Sequence, residues 1–217
     1  MFFFTPPSLI QKLSNNFLHW KIKTLDKKVF LSFDDGPTPG LTKEILSYLN
    51  QYNARATFFC TGKKARENPD LIQKILENNH CLGNHTYHHL DGWRCSTNKY
   101  VKDVMQCDQV FHSSLFRPPY GRITPAQIKQ LKKKFDIIMW SLMSYDYHPR
   151  MSPERSLKKL NSITDNGSII LMHDSLNAKH NLKYILPAMI ENLAIKGYKF
   201  ERLDQEFLYE EDNQSPK

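Results

Sequence analysis

From Lys28 onward, short runs of apolar, β-branched and aromatic residues alternate with stretches whose apolar positions recur every three or four residues. Residues 29–33 read as a strand by that content. Leu41, Ile45, Leu46 and Leu49 share one face of a helix predicted over 41–52. A strand at 56–60 follows. Pro69 opens a helix that presents Leu71, Ile72, Ile75 and Leu76, with proline in the first turn, where it is tolerated. Residues 81–84 give a short strand, and a helix over 98–112 leads to Leu115-Phe116-Arg117. Thr124-Pro125 starts a helix reaching 134, and 137–140 is a strand. Pro153 starts a helix to 164, Asn166-Gly167 turns the chain, and 168–172 is a buried strand. The last helix covers 182–196 and stops at Gly197, before a strand at 198–200. Ahead of this pattern, Phe17, Leu18 and Trp20 mark residues 1–27 as a segment packed on the domain. The domain itself is assigned to 28–209, and 210–217 form a polar tail.

Strands alternating with helices imply βαβ crossovers and a parallel sheet. About seven strands in so short a chain predict an α/β fold with an incomplete barrel rather than an open sheet. A length of 217 residues suits one such domain. Chemistry in these barrels gathers at the C-terminal ends of the strands. Asp34-Asp35, His85, Arg117, Asp146 and His173 all stand just past predicted strands.

The formal charge of +8 changes this picture little. The lysines are scattered, apart from Lys132-Lys133-Lys134, which read as a solvated helix face. Aromatic and basic residues do not interleave as a single-strand nucleic-acid groove requires, so no nucleic-acid partner is expected. Cys60, Cys81, Cys95 and Cys107 contain no C-x-x-C pair and read as free thiols. Three N-terminal phenylalanines are too few for a signal-peptide core, and no apolar run has the length of a membrane span. The expectation is a cytoplasmic monomer without a transmembrane segment, export by another route being the alternative.

Two adjacent carboxylates, Asp34 and Asp35, repel each other at a strand end, and Gly36-Pro37 fixes them in a tight turn. An ordinary acidic turn, with Asp35 capping the next helix, is the plain alternative. His85 and His89 are four residues apart, which puts two imidazoles on one face of a helical turn, although His85 with His88 also fits. Two histidines and a carboxylate leave coordination positions open, as at a catalytic metal. Arg117, in a loop stiffened by Pro118 and Pro119, can orient an aspartate through a bidentate contact or form a structural ion pair. His173 follows an apolar strand and so faces the barrel mouth, while Asp174 reads as a helix cap.

In chain order, five segments resemble the motifs of the NodB-homology polysaccharide deacetylases, carbohydrate esterase family 4. They are Ser32-Phe33-Asp34-Asp35-Gly36-Pro37, His85-Thr86-Tyr87-His88-His89, Arg117-Pro118-Pro119-Tyr120, Ser144-Tyr145-Asp146-Tyr147 and Leu171-Met172-His173. The resemblance spans residues 28–203 and implies a distorted (β/α) barrel with about seven parallel strands, NodB-like. It implies one divalent ion, zinc in first place with cobalt, nickel or manganese as alternatives, on Asp35, His85 and His89. It also implies Asp34 as general base oriented by Arg117, and His173 as general acid tuned by Asp146. The Tyr120 backbone N–H would bind the oxyanion and Leu171 would line an acetyl pocket. Two positions depart from the family pattern. Met143 stands where an aspartate is common, and Tyr147 stands at a substrate-contact position where tryptophan is common. The implied reaction removes N-acetyl groups from an amino-sugar polymer or oligomer, chitin-like or of peptidoglycan type. The alternatives are a deacylase of a small cytoplasmic amide or sugar conjugate, and a carbohydrate-binding domain without catalysis.

Overall fold

The structure, a computed structural model, describes residues 2–14 and 16–206, so the predicted tail at 210–217 lies outside the described residues. In chain order the strands are β1 (Lys28–Asp34), β2 (Ala56–Cys60), β3 (Cys81–Asn84), β4 (Leu115–Phe116), β5 (Asp136–Ile137), β6 (Leu142–Met143), β7 (Ile169–His173) and β8 (Lys199–Phe200). The helices are α1 (Ser8–Ser14), α2 (Leu41–Gln51), α3 (Gly62–Glu67), α4 (Pro69–Glu77), α5 (Thr97–Asp108), α6 (Pro125–Leu131), α7 (Pro153–Ile163) and α8 (Lys179–Ile195). Seven strands pair in the order β5-β4-β3-β2-β1-β7-β6, and β8 adds to the start of β1. Every pairing is parallel, as a sheet wrapped by crossover helices requires. The predicted incomplete barrel is the observed fold.

β1 lies inside the sheet between β2 and β7, and six of its seven residues are buried. In register with it, Phe33 meets Phe58, their rings stacked at 5.0 Å. Gly83 on β3 is fixed by packing, because a Cβ there would stand 2.3 Å from the Phe59 ring. The main core lies under α2 and α8, with Leu49, Ile185, Met189 and Leu193 fully buried.

Between the sheet's two edges, residues 18–22 bridge the gap. His19 N–H donates to Ile137 O and Met139 N–H donates to His19 O, each at 2.8 Å. Lys21 then pairs with Ser168 in antiparallel sense. Leu18, Trp20 and Ile22 are buried in the process. The strand predicted over 137–140 is shorter than expected: Ile138 N–H still donates to Phe116 O, but the next groups leave the ladder with β4, Met139 N–H for His19 O and the Ile138 and Met139 carbonyls for the Arg117 side chain. Two helices also end early, α5 at Asp108 and α6 at Leu131. Lys132–Lys134 therefore follow α6 rather than forming its face. Lys132 sits over the Phe17 ring at 4.5 Å and Lys134 pairs with Asp108 at 2.5 Å. α1, α3 and β6 had no clear periodic signal. Among the described residues, no helix is long and apolar enough to cross a membrane. All four cysteines are free, three of them buried.

Candidate active site

The C-terminal ends of β1, β3, β4 and β7 meet at a cleft of about 370 Å³ lined by Asp34, Asp35, His85, His89, Tyr120, Tyr147, Leu171 and His173. Asp34 and Asp35 diverge because Asp35 takes a left-handed backbone, φ 73°. Asp34 continues β1, is 4% exposed, and pairs in register with His173. Asp35 does not cap α2, whose N-cap is Gly40 without a side-chain bond.

Asp35 Oδ1 lies 3.0 Å from His89 Nε2 and 3.6 Å from His85 Nε2. Burial alone would raise the Asp35 pKa, but hydrogen bonds from both imidazoles outweigh it and hold the carboxyl well below the usual range. The histidine loop is not the helical turn predicted for it. Thr86 and His89 are left-handed, at φ 62° and 58°. Asp103 on α5 shapes the loop by accepting from Tyr87 N–H and His88 N–H at 2.8 and 2.9 Å. It also binds His88 Nδ1 at 2.6 Å, which leaves His85 and His89 clustered with Asp35, and His88 outside that group. His85 Nδ1 is 2.8 Å from Arg117 O, so its Nε2 faces Asp35.

Those donor atoms all lie within 4.8 Å of one another. Two ligands held about 2.0–2.1 Å from a tetrahedral zinc ion stand about 3.3 Å apart, so the set fits one divalent cation. The bond from His85 Nδ1 is the kind of outer contact that fixes a ligating histidine.

Arg117 is fully buried. Its Nη1 donates to Asp34 Oδ1 at 2.7 Å and Ser32 Oγ at 2.8 Å, while Nε and Nη2 donate to Ile138 O and Met139 O. The contact with Asp34 is thus single, not the bidentate fork expected, because the other donors serve the backbone past β5. Ser32 in turn donates to Ile170 O across the sheet.

On the opposite wall, Asp146 Oδ1 is 2.8 Å from His173 Nδ1, and its Oδ2 accepts from His173 N–H. Burial lowers the His173 pKa, but the Asp146 charge and hydrogen bond prevail, raising it from 6.5 to about 9. The Tyr147 ring packs edge-on to His173 at 4.7 Å. Tyr120 is left-handed (φ 59°) and 61% exposed, its ring 4.7 Å from His89. Leu171 is buried at the cleft floor.

Several supporting residues were not foreseen. Asp174 is no helix cap: it is fully buried beside Gly36, accepts from Thr42 Oγ1 at 2.5 Å, and burial raises its pKa to about 7. Tyr145, just before Asp146, is left-handed at φ 54°. The chain's first residues hold it. Tyr145 Oη accepts from Phe3 N–H at 3.2 Å and donates to Phe3 O at 2.8 Å. Met143 N–H donates to Phe4 O, and Phe2 and Phe4 pack edge-on to the Tyr145 ring. No spacing rule connects residues so far apart in sequence. For Tyr145, its place in a quoted motif was the one available signal.

A family model described as polysaccharide deacetylase matches residues 21–137. The chain belongs to the polysaccharide deacetylase family. A peptidoglycan-N-acetylglucosamine deacetylase of Bacillus cereus is 31% identical over 85% of this chain and 90% of its own length. A Listeria monocytogenes peptidoglycan-N-acetylglucosamine deacetylase, PgdA, is 30% identical over 85% of this chain, which spans 40% of that relative. The crystal structure of the Bc1960 peptidoglycan N-acetylglucosamine deacetylase superposes with a TM-score of 0.85 at 28% identity, covering 94% of this chain and 97% of that one. As a polysaccharide deacetylase the chain is a hydrolase of N-acetyl amide bonds, with a NodB-like fold.

Proposed function

We propose that the chain is a metal-dependent hydrolase that removes N-acetyl groups from N-acetylglucosamine units of a peptidoglycan-type or chitin-like polymer. The observation that carries this reading is the convergence of Asp35, His85 and His89 beside a second buried carboxylate, Asp34. The names of the relatives add support for the substrate class.

In this reading Asp35, His85 and His89 hold one divalent ion, zinc before cobalt, nickel or manganese. When bound, such an ion supplies Lewis acidity, polarising a carbonyl and acidifying water. Asp34 takes the proton of the attacking water, its other oxygen fixed by Arg117. Negative charge develops on the former carbonyl oxygen, and the Tyr120 N–H donates to it, a contact worth about 3–4 kcal/mol in such sites. Leu171 receives the acetyl methyl group and Tyr147 contacts the sugar. His173 keeps Nδ1 on Asp146, so its Nε2–H faces the cleft and passes a proton to the departing amine nitrogen. The carbon–nitrogen bond breaks, giving acetate and a free amine.

The assay is acetate release from N-acetylglucosamine oligomers and peptidoglycan fragments, before chelation, after it, and after zinc add-back. Release that is lost and then recovered supports the reading. No release from any acetylated sugar overturns it.

The proton donor sets the alkaline limit. With a pKa of about 9, His173 stays protonated through neutral pH and loses its proton as pH passes that value. Asp146→Asn removes the charge that raises the pKa, while burial, which lowers it, remains. The alkaline limb of kcat/KM is therefore expected to move down by about one pH unit or more. An unmoved limb in Asp146→Asn would show that another group sets it.

A further inference from the structure

Beyond the metal cluster, one rim of the cleft carries a row of flat groups. Tyr120 lies 4.7 Å from His89. The Arg122 guanidinium lies 5.7 Å from the Tyr120 ring centre and 5.2 Å from that of Trp93. Arg122 lines the same cleft as Asp35 and His85. Trp93 is 66% exposed, an uncommon state for so large an apolar side chain.

The row is held rigidly. Trp93 N–H donates to Asp91 Oδ1 at 3.0 Å and its Nε1–H donates to Ile123 O at 3.3 Å. Asp91 Oδ2 accepts from Arg122 Nη1 at 2.7 Å, and Arg94 stands 3.5 Å from the same oxygen. The Asp91 side chain is only 11% exposed, so it is a fixed anchor for the Arg122 cation, which in turn lies over one face of the Trp93 ring. Gly92 fits here because a Cβ would stand 2.4 Å from Arg122 O. Gln127 donates to Gly92 O at 2.8 Å and closes a capping box with Thr124, which ties the two loops to the start of α6.

We propose that Trp93 and Arg122 form a distal saccharide subsite: Trp93 stands three steps of 4.7, 5.7 and 5.2 Å along the row from His89, so it takes a ring of the same glycan chain farther out than a disaccharide seated on the cleaved ring extends. The inference rests on the deacetylase reading of the cleft. A pyranose has an apolar face of C–H bonds and an equatorial belt of hydroxyls. An exposed indole offers a surface for that face, and a fixed guanidinium offers donors for hydroxyl or carboxylate oxygens. Because both groups are already immobilised, docking a ring on them costs little side-chain entropy.

The test compares the zinc-loaded wild type, Trp93→Ala and Trp93→Phe on N-acetylglucosamine dimer and pentamer. For Trp93→Ala, KM on the pentamer is expected to rise about tenfold more than KM on the dimer, with kcat nearly constant. Trp93→Phe keeps an aromatic face and is expected to recover most of that loss. Tryptophan fluorescence gives a readout independent of turnover. Trp20 is buried and Trp140 lines the cleft, so both lengths perturb Trp140, whereas only the pentamer reaches Trp93. The extra pentamer-induced change is expected to vanish in Trp93→Phe. Equal KM shifts on both lengths, or a pentamer signal that survives in Trp93→Phe, overturns the subsite. Absence of acetate release from either oligomer in the wild type instead defeats the deacetylase reading, and the fluorescence comparison still decides the subsite.

Discussion

Arg117→Ala is expected to produce a chain of sharply lowered stability that releases almost no acetate. The guanidinium is fully buried and bonds Asp34, Ser32 and the carbonyls of Ile138 and Met139. Removing it leaves the Asp34 carboxylate, itself 4% exposed, without its cationic partner. Breaking a buried ion pair from one side costs about 3–5 kcal/mol. That compares with a total stability of about 5–15 kcal/mol for a typical domain. Asp34 would also lose the contact that aims it. Arg117→Lys keeps a charge but cannot reach four acceptors from one planar group, so it is expected to fall between the two. Urea unfolding midpoints and acetate release, measured together, check both variants. A midpoint for Arg117→Ala close to wild type would contradict this account of the buried pair.

His173→Ala is expected to lower kcat by at least about a hundredfold, the usual contribution of a positioned proton donor. The amine leaves poorly unless protonated, and among the cleft residues His173 is the one imidazole outside the Asp35 cluster. Zinc affinity should persist in this variant, because the proposed ligands Asp35, His85 and His89 are untouched. Stopped-time acetate assays with saturating zinc, together with a zinc titration, separate the two effects. Near-normal turnover would remove His173 from its role. A large loss of zinc binding would mean that it acts through the metal cluster instead.

Much of this could be read from the chain. The β1 and β7 segments are buried on both faces, so they appear as apolar runs, that of β1 broken by Ser32, and their ends mark Asp34 and His173. Pro69, Thr124-Pro125 and Pro153 announce helix starts through local geometry alone. The misreadings share a cause. The shape of the His85–His89 loop depends on Asp103, which reaches it from α5. The early end of the 137–140 strand depends on His19, more than a hundred residues away, and on the Arg117 side chain. The clamp on Tyr145 depends on the first few residues of the chain. Periodicity and capping report on neighbours within a few residues, so contacts of this range leave no local trace.

Calorimetric titration of the metal-free chain with zinc bears most directly on the central claim. The account predicts one site per chain in the wild type and at least about a hundredfold weaker binding in Asp35→Ala and His89→Ala, both folded. A wild-type chain that takes up no zinc, or equal affinity in all three proteins, would contradict it.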